Sequence, residues 1–265
     1  YPVRIVDPET GIEVPAGTAV VVTTSGSSGV PKSVMLSRSA LTSSALSTAA
    51  RIGEGAWLLA LPASYVAGLQ VLVRSLVQGH EPAILSGKFT AEAFAATALG
   101  MTSSVGGTRV PSYTSLVPAQ LGTLLDAAPH DPSVADALRS FEAILIGGQA
   151  LPAAMAARAN ELGVKIVRTY GSSETAGGCI YDGVPLDGVR VREVDGELQL
   201  GGPTLADGYL DAPELTAQVF VHDAGERWYR TGDAGSFEDG VVRVTGRRDN
   251  VIISGGVNVS LDRVE

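Results

Sequence analysis

The stretch TTSGSSGVPKS, Thr23 to Ser33, gathers hydroxyls, glycines and one lysine in a single short run. Small Ser, Thr and Gly residues offer hydroxyls and unobstructed amides to an anion, and Lys32 adds a positive charge. From Gly26 the spacing G-x-x-x-x-P-K-S matches a Walker loop except at Pro31, which has no backbone N–H to aim at phosphate. Two readings stay open: phosphate held by a different geometry, or a flexible Gly/Ser surface turn. In TYGSSETAGG, Thr169 to Gly178, the Glu174 carboxylate could hold Mg²⁺ beside a nucleotide on which Tyr170 stacks. A capping box at a helix start uses the same letters. In YRTGDAG, Tyr229 to Gly235, Asp233 is either an ordinary turn residue or the acceptor of two ribose hydroxyls. GRRDNVIISGGVNVS, from Gly246, places Arg247 and Asp249 before a glycine pair, a pattern that usually makes a solvated hairpin.

Such residues need a scaffold, and the chain supplies an alternation. AVVVTTS (Ala19 to Ser25), WLLALP, PAILS, MTSSV, FEAILIGG and KIVRTY read as strands. SRSALTSSALSTAARI, GLQVLVRSLVQG, TAEAFAATAL, YTSLVPAQLGTLLDAA and PAAMAARANEL read as helices between them. Strands separated by helices imply βαβ units and a mostly parallel sheet, whose ligands gather beyond the carboxyl ends of the strands. The turns after TS, IGG and TYG are expected at those ends. Beyond about Pro185, VRVREVDGELQLGG and RWYRTGDAGSFEDGVVRVTGR alternate as short strands of a β-rich, barrel-like unit. The expected organisation is an α/β part over 1–185, a β-rich part over 186–248, and a hinge with the start of another domain over 249–265.

The 265 residues carry net charge −9, which argues against nucleic-acid binding. Cys179 is the sole cysteine, so no internal disulfide forms, and a reducing, cytoplasmic setting is the simplest expectation. The sequence contains no apolar stretch of the length that spans a membrane. A start at Tyr1 and an end inside the alternating NVSLDRVE suggest a piece of a longer protein.

Taken together, the four motifs, in this order, resemble the adenylate-forming superfamily of acyl-CoA synthetases, nonribosomal-peptide adenylation domains and luciferases. Its phosphate loop T-S-G-[ST]-[TS]-G-x-P-K-G includes the proline, and this chain departs only in ending on Ser33. Its Y-G-x-[TS]-E, Y-R-T-G-D and G-R-x-D appear as Tyr170–Glu174, Tyr229–Asp233 and Gly246–Asp249. The resemblance implies the large N-terminal domain of such an enzyme, with ATP, Mg²⁺ and coenzyme A as cofactors. Thr24, Ser25, Gly26, Ser27, Ser28, Gly29 and Lys32 would hold the β and γ phosphates. Gly171 and Ser172 would border the nucleotide, Ser173 would touch the α-phosphate and Glu174 would bind Mg²⁺. Gly147, Gly148 and Gln149 would line the adenine with Tyr170. Asp233, assisted by Arg247, would chelate the ribose, and Asp249 would be the hinge of a rotating C-terminal domain. The family's C-terminal lysine has no counterpart, because lysines stand only at 32, 88 and 165. The chain alone is therefore expected to bind ATP and to adenylate poorly.

LPASYVAGLQVLVRSL resembles the L-P-x-x-H-x-x-G segment of acyl-CoA synthetases, with Tyr65 in the histidine slot. Arg74 stands in an otherwise apolar helix and either snorkels to the surface or meets a second substrate carboxylate. With SLVPAQL (Ser115 to Leu121), this basic position looks most like o-succinylbenzoate–CoA ligases of menaquinone synthesis. Tyr65, Arg74 and Gly171 are then the acid-binding candidates, and the expected partners are a small carboxylic acid, ATP and coenzyme A, with homodimerisation left open. The rivals are another acyl- or aryl-CoA ligase or an amino-acid adenylation domain, a Walker-type NTPase or kinase, disfavoured by Pro31, and a non-catalytic nucleotide-binding module. His80, His130 and His222 stand in no nucleophile context.

Overall fold

Short aliphatic runs bounded by glycine and proline form the strands of a seven-stranded sheet in a computed structural model describing residues 14–24, 31–101, 104–248, 251–254 and 257–260. The strand order is Val184–Pro185, Gly177–Tyr181, Ile166–Ser172, Ala143–Ile146, Ser112–Leu116, Ala56–Leu59, Ala83–Ile84. The last five run parallel and the first two antiparallel, so the α/β expectation holds.

Alternation along the strands divides the core between the two faces of this sheet. Leu58, Ile144 and Ile146 pack on one side with Phe94, Leu121, Leu124, Leu138 and Phe141 from the helices Ala91–Leu99, Pro118–Ala127 and Pro132–Ser140 and the residue after them. Their neighbours Trp57, Leu59 and Leu145 face the other way, against Val71 of the Val66–Gln78 helix. Helix Arg38–Ile52 packs against Val66–Gln78 on that second side. Among the described residues no helix is long and apolar enough to cross a membrane.

Two smaller antiparallel sheets, besides the two-stranded ribbons Ser104–Val105/Thr108–Arg109 and Val251–Ser254/Val257–Ser260, accompany the seven-stranded one. Arg190–Val194, Glu197–Gly201, Glu226–Glu238 and Phe220–Asp223 form one, with Val241–Arg247 paired to Glu226–Glu238. Asp195-Gly196, Ala224-Gly225 and Asp239-Gly240 make its tight turns, both residues of each pair at positive φ, as a two-residue hairpin requires. Thr18–Thr24, Lys32–Ser37 and Gly208–Tyr209 form the other.

Three expectations are corrected. The Ser/Gly loop joins two strands of a β-hairpin rather than a parallel strand to a helix, because Val34 and Leu36 alternate inward on Lys32–Ser37 and are fully buried. Strand Thr18–Thr24, which precedes it, therefore belongs to no parallel sheet, unlike the strands before IGG and TYG. The parallel strand expected at MTSSV is Ser112–Leu116. Tyr113 to Leu116 are buried between two neighbours, and Pro118, at the first helical position, begins the helix only afterwards. Ser104–Val105 pairs only with Thr108–Arg109 in a small ribbon. Helix Pro132–Ser140, unmarked in the sequence reading, starts at an Asp131 cap whose carboxylate accepts the Ser133 N–H at 2.9 Å.

Candidate nucleotide and acyl site

The glycine- and hydroxyl-rich hairpin is anchored on both flanks. Thr24 stands opposite Lys32, and its hydroxyl donates to the Lys32 carbonyl at 3.4 Å. Ser25, Gly26, Ser27, Ser28 and Gly29 lie outside the described residues, as does Asp249. On the far side of the hairpin the short strand Gly208–Tyr209 pairs with Met35 and Val34, and Leu210 N–H donates to the Ser33 carbonyl at 2.8 Å. Tyr209 then links two of the expected site residues. Its hydroxyl donates to Glu174 Oε1 at 2.8 Å, while Lys32 Nζ stands 5.6 Å from the centre of its ring. Burial first, then the Glu174 carboxylate, pushes the Tyr209 phenol far up, so it remains a donor.

Glu174 sits in a single 3₁₀ turn, Ser173–Thr175, and is 8% exposed, with the Ala206 N–H donating to its carbonyl at 2.8 Å. The capping role belongs to Thr175 and not to Glu174. Thr175 Oγ1 accepts the Ser172 N–H at 2.9 Å, which leaves the glutamate carboxylate free of that duty. Among the described residues no Lys, Arg or His forms an ion pair with this carboxylate, and no group of three His, Cys, Asp or Glu gathers near it. One buried carboxylate beside a phosphate hairpin suits Mg²⁺, which keeps several waters and takes other ligands from phosphates.

Asp233 is fixed between a phenol and a guanidinium. Tyr170 donates its hydroxyl to Oδ2 at 2.5 Å, and Arg247, opposite Asp233 in the strand register, donates to Oδ1 at 3.2 Å. Burial, then the Asp233 charge, holds the Tyr170 phenol well above its usual value. Tyr229 lies close enough to both acids that burial, then Glu174, with Asp233 adding, raises its phenol as well. The hairpin, the Glu174 turn and the Asp233 strand thus meet through Tyr209, Tyr229 and Tyr170. Ser173 is buried in the same turn.

At the carboxyl ends of the parallel strands lies a cavity of about 120 Å³. Gly147 and Gly148 border it after strand Ala143–Ile146, Thr169 and Gly171 after the start of Ile166–Ser172, and Gln70 and Arg74 from helix Val66–Gln78. A Cβ at Gly147 would fall 2.4 Å from Thr169 Oγ1, so a bare backbone brings the two strand ends together. Gln149 follows directly on this glycine pair. Arg74 does not snorkel outward. It is 3% exposed, its guanidinium carbon 4.8 Å from the centre of Trp57 and its amino groups on Ser115 Oγ (3.5 Å) and Tyr181 Oη (3.3 Å). Its Nε and the Oε1 of Gln70 are buried without a partner. Tyr65, by contrast, is 56% exposed ahead of that helix and borders no part of the cavity. Tyr209, Gln70, Trp57 and Tyr181 escaped the sequence reading, since lone residues carry no spacing signal.

The AMP-binding enzyme family model matches residues 3–210. The chain is similar to the probable 2-succinylbenzoate–CoA ligase of Mycobacterium tuberculosis H37Rv, 43% identical over 261 residues, 96% of this chain and 64% of the relative. Its fold is similar to o-succinylbenzoate coenzyme A synthetase (MenE) from Bacillus subtilis in complex with ATP and magnesium ion, with TM-score 0.74, 26% identity, and coverage of 94% of this chain and 55% of that one. It is also similar to a malonyl-CoA ligase ternary product complex with methylmalonyl-CoA and AMP, with TM-score 0.77, 30% identity, and coverage of 94% and 58%. The chain thus spans less than two thirds of the length of these relatives. A family model matched over residues 3–210 and a relative 43% identical over 96% of the chain agree, and the chain belongs to the AMP-binding enzymes.

Proposed function

We propose that this chain is the ATP- and acid-binding part of an AMP-forming acid–thiol ligase whose acid is 2-succinylbenzoate. An acid carboxylate oxygen attacks the α-phosphorus of ATP and pyrophosphate leaves. A thiol, that of coenzyme A, then attacks the acyl carbon and AMP leaves. Activation is needed because a carboxylate oxygen is a poor leaving group, whereas AMP is a good one.

Lys32, whose ammonium stands over the Tyr209 ring, and the hairpin hydroxyls hold the outer phosphates. Ser173 lies at the α-phosphate. Glu174 would hold Mg²⁺, which when bound neutralises charge developing on the phosphate oxygens. Asp233, pre-oriented by Tyr170 and Arg247, takes the ribose hydroxyls. Gly147, Gly148 and Gln149 form the wall shared by adenine and acid. Asp249 as hinge and the 1–185, 186–248 and 249–265 division remain parts of the same proposal.

The observation that carries the choice of acid is Arg74, a buried guanidinium on a cavity beside the nucleotide glycines, with no carboxylate on it among the described residues. An unpaired charge costs several kcal/mol to bury, and a substrate carboxylate offsets that cost. The second carboxylate of 2-succinylbenzoate fits this role. The malonyl-CoA ligase likeness keeps a shorter diacid as a second reading, since it would meet the same guanidinium. Acid-dependent ATP–pyrophosphate exchange by the full-length protein, with 2-succinylbenzoate, malonate, benzoate, octanoate and amino acids, separates them. Exchange greatest with 2-succinylbenzoate supports the proposal, and exchange greatest with a monoacid or an amino acid ends it.

A further inference from the structure

Two hydroxyls and a backbone carbonyl stand in line behind Arg74, and proton counting fixes their direction. Thr48 Oγ1 lies 2.9 Å from the Ser44 carbonyl, which can only accept, so the single threonine proton goes there. Tyr181 Oη lies 2.9 Å from the same Thr48 oxygen and must therefore donate to it. Arg74 can only donate, and its amino nitrogen 3.3 Å away gives its proton to the lone pair that Tyr181 has left. All members are buried, Thr48 and Ser44 fully and Tyr181 to within 2%. The Trp57 face covers the guanidinium from one side.

We infer that Tyr181 and Thr48 are positioning residues for acid selectivity. They hold Arg74 with its remaining donors toward the cavity, and they do so with neutral groups that leave its charge unspent. A carboxylate in place of Tyr181 would pair with the guanidinium and cancel its pull on substrate. A phenol whose proton is committed to Thr48 orients it without competing. The inference rests on the diacid reading given above and adds the residues that make the cation selective.

The test is calorimetric titration, in the presence of AMP, of 2-succinylbenzoate and of 4-oxo-4-phenylbutanoate, the same acid without its ring carboxylate. Wild type should favour the diacid, and Arg74→Ala should erase that preference. Tyr181→Phe should weaken the diacid about tenfold, the effect of one charge-assisted hydrogen bond, and leave the monoacid and AMP unmoved. Thr48→Val should do the same by depriving Tyr181 of its acceptor, while Thr48→Ser should restore wild-type selectivity. In an Arg74→Ala background neither change should add to the loss. Equal weakening of both acids, or failure of Thr48→Ser to rescue, would reduce the pair to packing and overturn the inference. A selective loss in Arg74→Ala with none in Tyr181→Phe would overturn it alone. A wild type indifferent to the ring carboxylate would overturn the diacid reading and the inference with it.

Discussion

Asp233 and Glu174 differ in what already holds them. Asp233 is clamped by a phenol and a guanidinium, so Asp233→Asn should keep the backbone and lose the charge. AMP affinity by calorimetry should fall about tenfold or more, within the range of hydrogen bonds to a charged group, and unchanged affinity would remove its ribose role. Among the described residues Glu174 has only a neutral phenol on its carboxylate, so Glu174→Gln should leave magnesium-free ATP binding intact. It should abolish the gain in ATP affinity on adding Mg²⁺, and a retained gain would move the metal elsewhere. Cys179 lies at the opposite extreme of reactivity. Burial pushes its thiol up to about 12, so the thiolate is scarce at pH 8, below that value. A thiol-specific chromogenic reagent should stay unreacted with the native chain and react on unfolding. Prompt reaction would contradict that burial. The motif residues were legible because their order and spacing carry information, whereas Tyr209 and Tyr181 acquire their roles only when distant segments meet.

Helix Val66–Gln78 is the element that aims the acid site. Gly68 packs so closely on the preceding turn that a Cβ would come within 2.2 Å of the Pro62 carbonyl oxygen. Gly68→Ala should therefore lift this helix, costing about 1–3 kcal/mol as overpacking does. The melting temperature should drop by several degrees, and diacid binding should weaken more than AMP binding. A melting temperature equal to wild type would refute the close approach. Helices and strands with clean periodicity were readable. The hairpin at Lys32–Ser37 was not, because its second strand runs into helix Arg38–Ile52 through Ser37, with no breaker between them. Ser112–Leu116 was absorbed into the following helix for a similar reason, although Pro118 marked the true boundary.

Across the whole molecule, the parallel sheet carries the Arg74 cavity at its carboxyl ends, and the antiparallel sheets carry the Lys32 hairpin and Asp233. With a net charge of −9 on the chain, anionic ligands gain selectivity from single cations such as Arg74 and Lys32 and little from the overall field. Nucleotide and acid should therefore occupy adjoining parts of one site. The most direct test is titration of the chain with a sulfamoyl analogue of 2-succinylbenzoyl-adenylate. The expected result is one analogue per chain, displaced by AMP and by 2-succinylbenzoate alike, with affinity lost in both Asp233→Asn and Arg74→Ala. An analogue that either substitution leaves unaffected, or that binds while AMP remains in place, would contradict it.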